Sequence, residues 1–472
     1  MALELTCYLA GEAVQSDSRL EVRNPYNGEL VGTVGRVNRS DTERAIEQAL
    51  LFDKPLTRYE RSQVLTRAAQ KLEERREEFA HLITSEAGLC LRETRYEVGR
   101  ASDVLRFAAV EALHDDGEIF SCDVSPQGKA RKIFTLREPL RLIAAITPFN
   151  HPLNQVVHKV APAVAAGAPV ILKPSARVPL TAIRLVELLY ESGLPGRMLS
   201  VLLGPSEDVA DILVRDPRVD LVTFTGGERV GKQIAATAGY KRLVLELGGN
   251  DPLIVLNDAD LDLAVTLAAE GSFRNSGQRC TAVKRILVEE GVADEFTRRF
   301  VEKARDYRYG DPMDPETRVG TVISEESAMH LERVVKDAVA AGAKVLLGGE
   351  RKGALLAPTV IVDVPRDAEM VVSESFGPLA PIIRVADLED AIAVANSTAY
   401  GLSSGVVTRD LQKAIHAVKS LRMGTVNINE VPGYRLENSP FGGIKDSGLG
   451  IKEGVIEAIK GMTTVKTFSL PW

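Results

Sequence analysis

Four cysteines stand in 472 residues, at Cys7, Cys90, Cys122 and Cys280, and no two show Cys-x-x-Cys spacing. That excludes a disulfide framework and a structural zinc set, and it points to a reducing compartment. No long apolar run is present either. The longest, Val160 to Leu172, is broken by Pro162 and Pro169 and falls short of the ~18 residues a membrane span requires. Runs of one charge are also missing. The 58 basic and 65 acidic residues leave a net charge of −7, which offers no footprint for nucleic acid or anionic lipid. Met1 to Val14 carries Glu4 and Glu12 and no basic segment ahead of an apolar stretch, so no signal peptide is expected. A soluble cytoplasmic protein is the expectation.

What is there suits a large globular chain. Hydrophobic residues make up 45% and charged residues 26%, which excludes disorder, collagen and coiled coil. At ~150 residues per domain, the length predicts about three domains. Met1 to Gly35 reads as short strands with turns at Asn24-Pro25 and Asn27-Gly28. Helical spacing follows from a cap at Ser40-Asp41, then over Thr57–Glu74 and from Arg95 to Ala112.

Strand and helix then alternate. Strands are expected at Leu142–Thr147, Pro169–Lys173, Leu199–Leu203, Leu221–Thr225 and Arg242–Leu247. Between them, helices are expected at Leu153–Ala166, Leu180–Ser192, Ser206–Arg215 and Val230–Thr237. This is the signature of a parallel sheet buried on both faces. The alternation restarts after Asp258 and runs to Thr425–Ile428, which predicts a second α/β domain. The tail from Gly461 to Trp472 is β-like and could pair with the ribbon Ala130–Arg141 as a small sheet outside both domains. Such an exposed edge invites a partner chain.

Three residues stand out for chemistry. Cys280 ends the polar turn Asn275-Ser-Gly-Gln-Arg-Cys280. A lone cysteine is most often a small buried hydrophobe, but the neighbouring Arg279 is the kind of cation that favours a reactive thiolate. Glu246 lies where an apolar strand runs into Gly248-Gly249; a salt-bridge partner and a general base are both open readings. Asn150 closes Thr147-Pro-Phe-Asn150, as a helix cap or as an oxyanion donor. The turn Thr225-Gly-Gly-Glu-Arg-Val-Gly231 lets backbone amides approach a phosphate, although it is no GxGxxG.

Together these segments resemble the aldehyde dehydrogenase superfamily nearly end to end. The resemblance rests on Pro148-Phe-Asn150, Leu172-Lys-Pro174, Phe224-Thr-Gly226, Leu245-Glu-Leu-Gly-Gly249, Gly277-Gln-Arg-Cys280, Glu374-Ser-Phe-Gly-Pro378, Asn427-Ile-Asn429 and Pro440-Phe-Gly-Gly443. It implies a Rossmann-type cofactor domain (1–120 and 142–247), an α/β catalytic domain (248–446) and a β oligomerisation arm (121–141 and 447–472) of a homodimer or homotetramer. It also implies Cys280 as nucleophile, giving a thiohemiacetal and then a thioester. The amide of Asn150 and the Cys280 N–H would hold the oxyanion, and Glu246 would activate the hydrolytic water. NAD would be bound by Lys173 at the adenosine ribose and Glu374 at the nicotinamide ribose, with Phe376 beside the ring. Thr147, Pro148, Ser175, Gly204, Thr225, Gly226, Gly227, Gly231, Glu246, Leu247 and Gly248 would complete the cofactor site, and no metal is implied.

Two departures matter. Ala176, followed by Arg177, stands where NAD-preferring members often carry glutamate, so NADP is admitted. Gly227 replaces a usual serine and removes one hydroxyl from the pyrophosphate. A CoA-acylating enzyme would typically lack Glu246, and an inactive scaffold would be free to lose Cys280 or Asn150.

The stations that line the substrate funnel in this superfamily hold Arg100, His151, Arg279 and Arg435 here, with Thr281 beside the cysteine. Such a cluster calls for an anion. The bland alternative pairs Arg435 with Glu437 and Arg100 with Glu97. The string Gly277 to Arg285 is similar to two subfamilies, the phosphonoacetaldehyde dehydrogenases and the non-phosphorylating glyceraldehyde-3-phosphate dehydrogenases. The latter usually carry tyrosine where His151 stands, so phosphonoacetaldehyde is the expected substrate.

Overall fold

The computed structural model describes residues 2–472. Five parallel strands form the heart of its first sheet, in the spatial order Arg242–Glu246, Leu221–Thr225, Ile143–Ile146, Val170–Lys173, Leu199–Val201. Ile143–Ile146 is buried at every residue, as its unbroken apolar run requires. Tyr8–Leu9 and Glu12–Ala13 close one edge antiparallel. From Ile143 the chain builds outward to Leu199, then returns to add Leu221–Thr225 on the other side. That reversal opens a crevice at the carboxyl ends of these two strands, where α/β sheets take their ligands.

The second sheet runs Thr359–Val362, Leu379–Val385, Val283–Glu289, Asp251–Val255, Ser403–Val407 and Thr425–Ile428, all parallel. Lys344–Leu347 adds an antiparallel edge. Its strands feed two separate cores by alternation: Ile254, Leu287 and Ile383 face one, and Leu253, Ile286 and Ile382 face the other. The tail strand Thr463–Pro471 pairs with Arg131–Pro139 along its full length, as expected, and Ile119–Ser121 adds a third strand. Beyond Thr463 every residue of the tail strand is exposed, with Phe468 stacked on Phe134 at 5.3 Å.

Several elements differ from the sequence expectation. The first helix is capped by Asn38, whose side chain and that of Asp41 close a reciprocal box; Ser40 lies inside the helix Arg39–Leu50. The third expected helix starts earlier and spans Leu91–Glu111. The helix expected from Ser206 begins only at Ala210, because Pro205 accepts from both Asp208 and Val209 in tight turns. The helices Glu325–Ala340, Leu411–Ser420 and Val455–Gly461 lie outside the expected elements.

Candidate active site

A cavity of about 560 Å³ fills the crevice. Thr147, Pro148, Lys173, Ser175, Thr225, Gly226, Gly227, Leu247, Gly248, Glu374 and Phe376 all lie on its wall. Three expected residues stand off it: Gly204, Gly231 and Glu246. Gly204 presses on the main chain of Val37, whose carbonyl oxygen a Cβ would meet at 2.5 Å. Gly231 instead lets the helix Glu228–Thr237 lie on Leu247, whose side chain a Cβ would strike.

The wall suits a dinucleotide. The helix Glu228–Thr237 starts at Gly227 with no side-chain cap, so its first amides are open to an anion. A Cβ at Gly227 would meet nothing within 4 Å. The hydroxyls of Thr147 and Thr225 are buried without a partner. Phe376 holds a left-handed backbone (φ 53°) and packs edge-on against Phe149 at 5.7 Å.

Cys280 belongs to this wall and also to that of a second cavity of about 630 Å³. Its loop is rigid by construction. Asn275, Ser276 and Gly277 follow one another at φ 57°, 54° and 69°, a strained run that persists only where the surroundings enforce it. Asn150 supplies part of that enforcement: its Nδ2 donates to the Gln278 carbonyl at 2.9 Å, and Asn275 Nδ2 donates to the Asn150 carbonyl at 2.9 Å. Asn150 is therefore no helix cap. The following helix Asn154–Ala166 is capped by Glu97, whose Oε1 accepts from the N–H groups of Leu153 and Asn154. Among the described residues, the Cys280 N–H finds no protein acceptor, and Asn150 keeps one amide hydrogen free.

The electrostatics correct one expectation. Arg279 Nη2 is taken up by the carbonyls of Glu270 and Gly271 at 3.1 and 2.6 Å, and its charge is not the leading influence on the thiol. The cation that acts most on Cys280 is Lys284, which sequence reasoning quoted but gave no role. Burial pushes the thiol up to about 11, and Lys284 is the leading opposing influence.

Glu246 is 5% exposed, and neither carboxylate oxygen has a hydrogen-bond partner. Burial first, then Glu453, lifts its pKa well above the usual carboxylate range; Arg435, Lys159 and Lys452 oppose the shift. It lies behind the cavity walls, where a Cβ on Gly442 would sit 2.7 Å from its Oε1. Nearby, Lys159 Nζ donates to Glu453 and Thr223, both at 2.7 Å. A lysine inside the apolar stretch Val156–Val164 was the available signal for that network.

The second cavity is lined by Arg100, His151, Arg279, Thr281 and Arg435, among others. The pairings differ from both alternatives considered above. Arg100 Nε donates to Glu437, which also bonds His158. Glu97 faces His151, with Nδ1 at 3.5 Å. Arg435 lies 4.0 Å over the ring of Phe441. Among the described residues, Arg279 and Arg435 have no carboxylate within ion-pair reach, and the Nη groups of Arg100 make no protein hydrogen bond.

The profile of the Aldehyde dehydrogenase family matches residues 13–468. The chain is 38% identical over 457 residues to the 3-sulfolactaldehyde dehydrogenase of Priestia aryabhattai, covering 97% of this chain and 96% of that one. Among solved structures, it is similar to aldehyde dehydrogenase 21 from Physcomitrella patens in complex with the reaction product succinate, at 37% identity and a TM-score of 0.96, covering 100% and 98%. The NADP-dependent glyceraldehyde-3-phosphate dehydrogenase from Bacillus halodurans, complexed with NADP, also scores 0.96 at 36% identity, covering 99% of each chain. On its motifs, its two-cavity site and this full-length match, the chain belongs to the aldehyde dehydrogenase family.

Proposed function

We propose that the chain oxidises phosphonoacetaldehyde to phosphonoacetate with NAD, and that it admits NADP. One observation carries the substrate class. The cavity that reaches the thiol holds two guanidinium groups without a carboxylate partner and a third whose Nη groups are free. Cations left so are costly unless an anion joins them. A phosphonate, with three acceptor oxygens and close to two charges, uses such a set more fully than a carboxylate does. The relatives named above act on a sulfonated or phosphorylated aldehyde or hold a dicarboxylate product, which supports the anionic class. Glyceraldehyde 3-phosphate is the second reading, favoured by likeness to the Bacillus halodurans enzyme.

The roles follow from position. Lys173 and Glu374 would hold the two riboses, and the open helix start at Gly227 the pyrophosphate. A nicotinamide bound there supplies the hydride acceptor. Cys280 attacks the carbonyl carbon; the free amide hydrogen of Asn150 and the Cys280 N–H take the oxyanion. Glu246, once deprotonated and rotated from its place beside Gly442, removes a proton from the water that cleaves the thioester. The exposed tail strand, with Val465, Phe468 and Leu470 on its surface, supports a homodimer or homotetramer.

The deciding experiment compares kcat/KM for phosphonoacetaldehyde, glyceraldehyde 3-phosphate, 3-sulfolactaldehyde, succinic semialdehyde and an uncharged aldehyde. Phosphonoacetaldehyde should lead, and the uncharged aldehyde should trail by roughly 100-fold or more. An uncharged aldehyde in first place ends the reading. Glu246→Gln should keep a fast burst of reduced dinucleotide and lose roughly 10²–10⁴-fold in steady turnover. Stopped-flow absorbance separates the two phases. Loss of the burst itself would give Glu246 another task.

A further inference from the structure

Lys284 sits at the second position of the strand Val283–Glu289, with its side chain only 2% exposed. A buried ammonium needs partners, and the three it has are instructive. Nζ donates to the carbonyls of Arg279 and Cys280, each at 2.8 Å. On its other side it stands 3.3 Å from Oε1 of Glu374. Glu374 is fixed in turn by the Gly249 N–H at 3.1 Å and lies on the dinucleotide cavity. One ammonium therefore joins the loop that carries the thiol to a carboxylate of the other cavity.

We propose that Lys284 is a positioning residue that sets how readily the Cys280 thiol ionises, and that it makes this reactivity depend on the charge of Glu374. The inference rests on Cys280 being the nucleophile. Ionisation sends the thiol proton to solvent and leaves a negative sulfur where the two cavities meet. The charges that act on it are Lys284, Arg435 and Arg279, which favour the thiolate, and Glu374 and Asp251, which oppose it. Arg279 and His151 share the cavity wall. Lys284 is the leading cation among them and is shared with Glu374. Relieving the negative charge on Glu374 removes one opponent and frees more of the lysine's field for the sulfur. Both effects have the same sign.

The test is alkylation of the ligand-free enzyme by iodoacetamide across pH, where thiolate displaces iodide and the rate follows its fraction. Lys284→Met should move the profile to higher pH and slow alkylation at pH 8 roughly tenfold, one unit of acidity. Lys284→Arg, which keeps the charge, should restore most of the rate. Glu374→Gln should shift the profile the other way and speed alkylation several-fold. A Lys284→Met profile that overlays the parent, or a Glu374→Gln enzyme no faster than the parent, overturns the proposal. If Lys284→Met does not fold, the Glu374→Gln profile decides alone. Alkylated parent enzyme that still turns over would instead refute the nucleophile assignment, so the two failures are told apart.

Discussion

Cys280→Ala should lower dehydrogenase turnover by at least roughly 10⁴-fold, on the scale seen when a covalent nucleophile is deleted. The thiol is the group common to both cavities that can form a bond to an aldehyde carbon. Without it the carbonyl has no covalent attachment from which hydride can leave. Dinucleotide affinity should hold, because Cys280 donates no side-chain hydrogen bond to that wall and alanine fits its space. Titration calorimetry with NAD on the variant checks the second half, and steady-state kinetics the first. The burial that lifts the thiol to about 11 adds a pH signature. In the ligand-free parent, alkylation should keep climbing from pH 7 toward pH 10, since the thiolate is the minor form throughout. Turnover in Cys280→Ala within tenfold of the parent would end the covalent scheme.

The sequence disclosed the chemistry more fully than the connections between its parts. Asn275–Cys280 was legible because a polar, glycine-bearing turn ahead of an apolar strand is unusual for a cysteine that serves only as a small core hydrophobe. The first sheet was legible because doubly buried strands read as short apolar runs between helical patterns. Helix Glu325–Ala340 is not legible in the sequence, though Leu331, Val334, Val335 and Ala338 form its buried stripe. The run of charge between them masked the period. Ion pairs were the least legible level. Arg100 meets Glu437, 337 positions away, in preference to Glu97 on its own helix. Glu97 is already committed to the start of the helix at Asn154. Adjacency in sequence likewise misled at Arg279. Three left-handed residues ahead of it turn the loop so that its guanidinium caps a neighbouring helix end, while Lys284 reaches the carbonyl of Cys280.

Those pairings also sharpen the anion test, for they separate the three arginines. Arg435 has no carboxylate to abandon; it rests on Phe441 and faces the cavity. Arg435→Ala therefore subtracts little besides its contact with the substrate. Removing one member of a desolvated charge pair costs ~2–5 kcal/mol, or roughly 30- to 5,000-fold in kcat/KM at tenfold per ~1.4 kcal/mol. The loss on phosphonoacetaldehyde should appear chiefly in KM, with the small neutral aldehyde changing less than about threefold. Arg100→Ala should lose at least as much, because it also strands Glu437, whose carboxylate His158 and Arg100 together hold below the usual range despite burial. Arg100→Lys keeps a charge near Glu437 but not the forked donors, and should fall between the two. Arg279→Ala should damage both substrates, since that guanidinium ties the Cys280 loop to the carbonyls of Glu270 and Gly271. Equal losses on charged and neutral aldehydes in Arg435→Ala would make that arginine a structural support, and the phosphonate reading would fail with it.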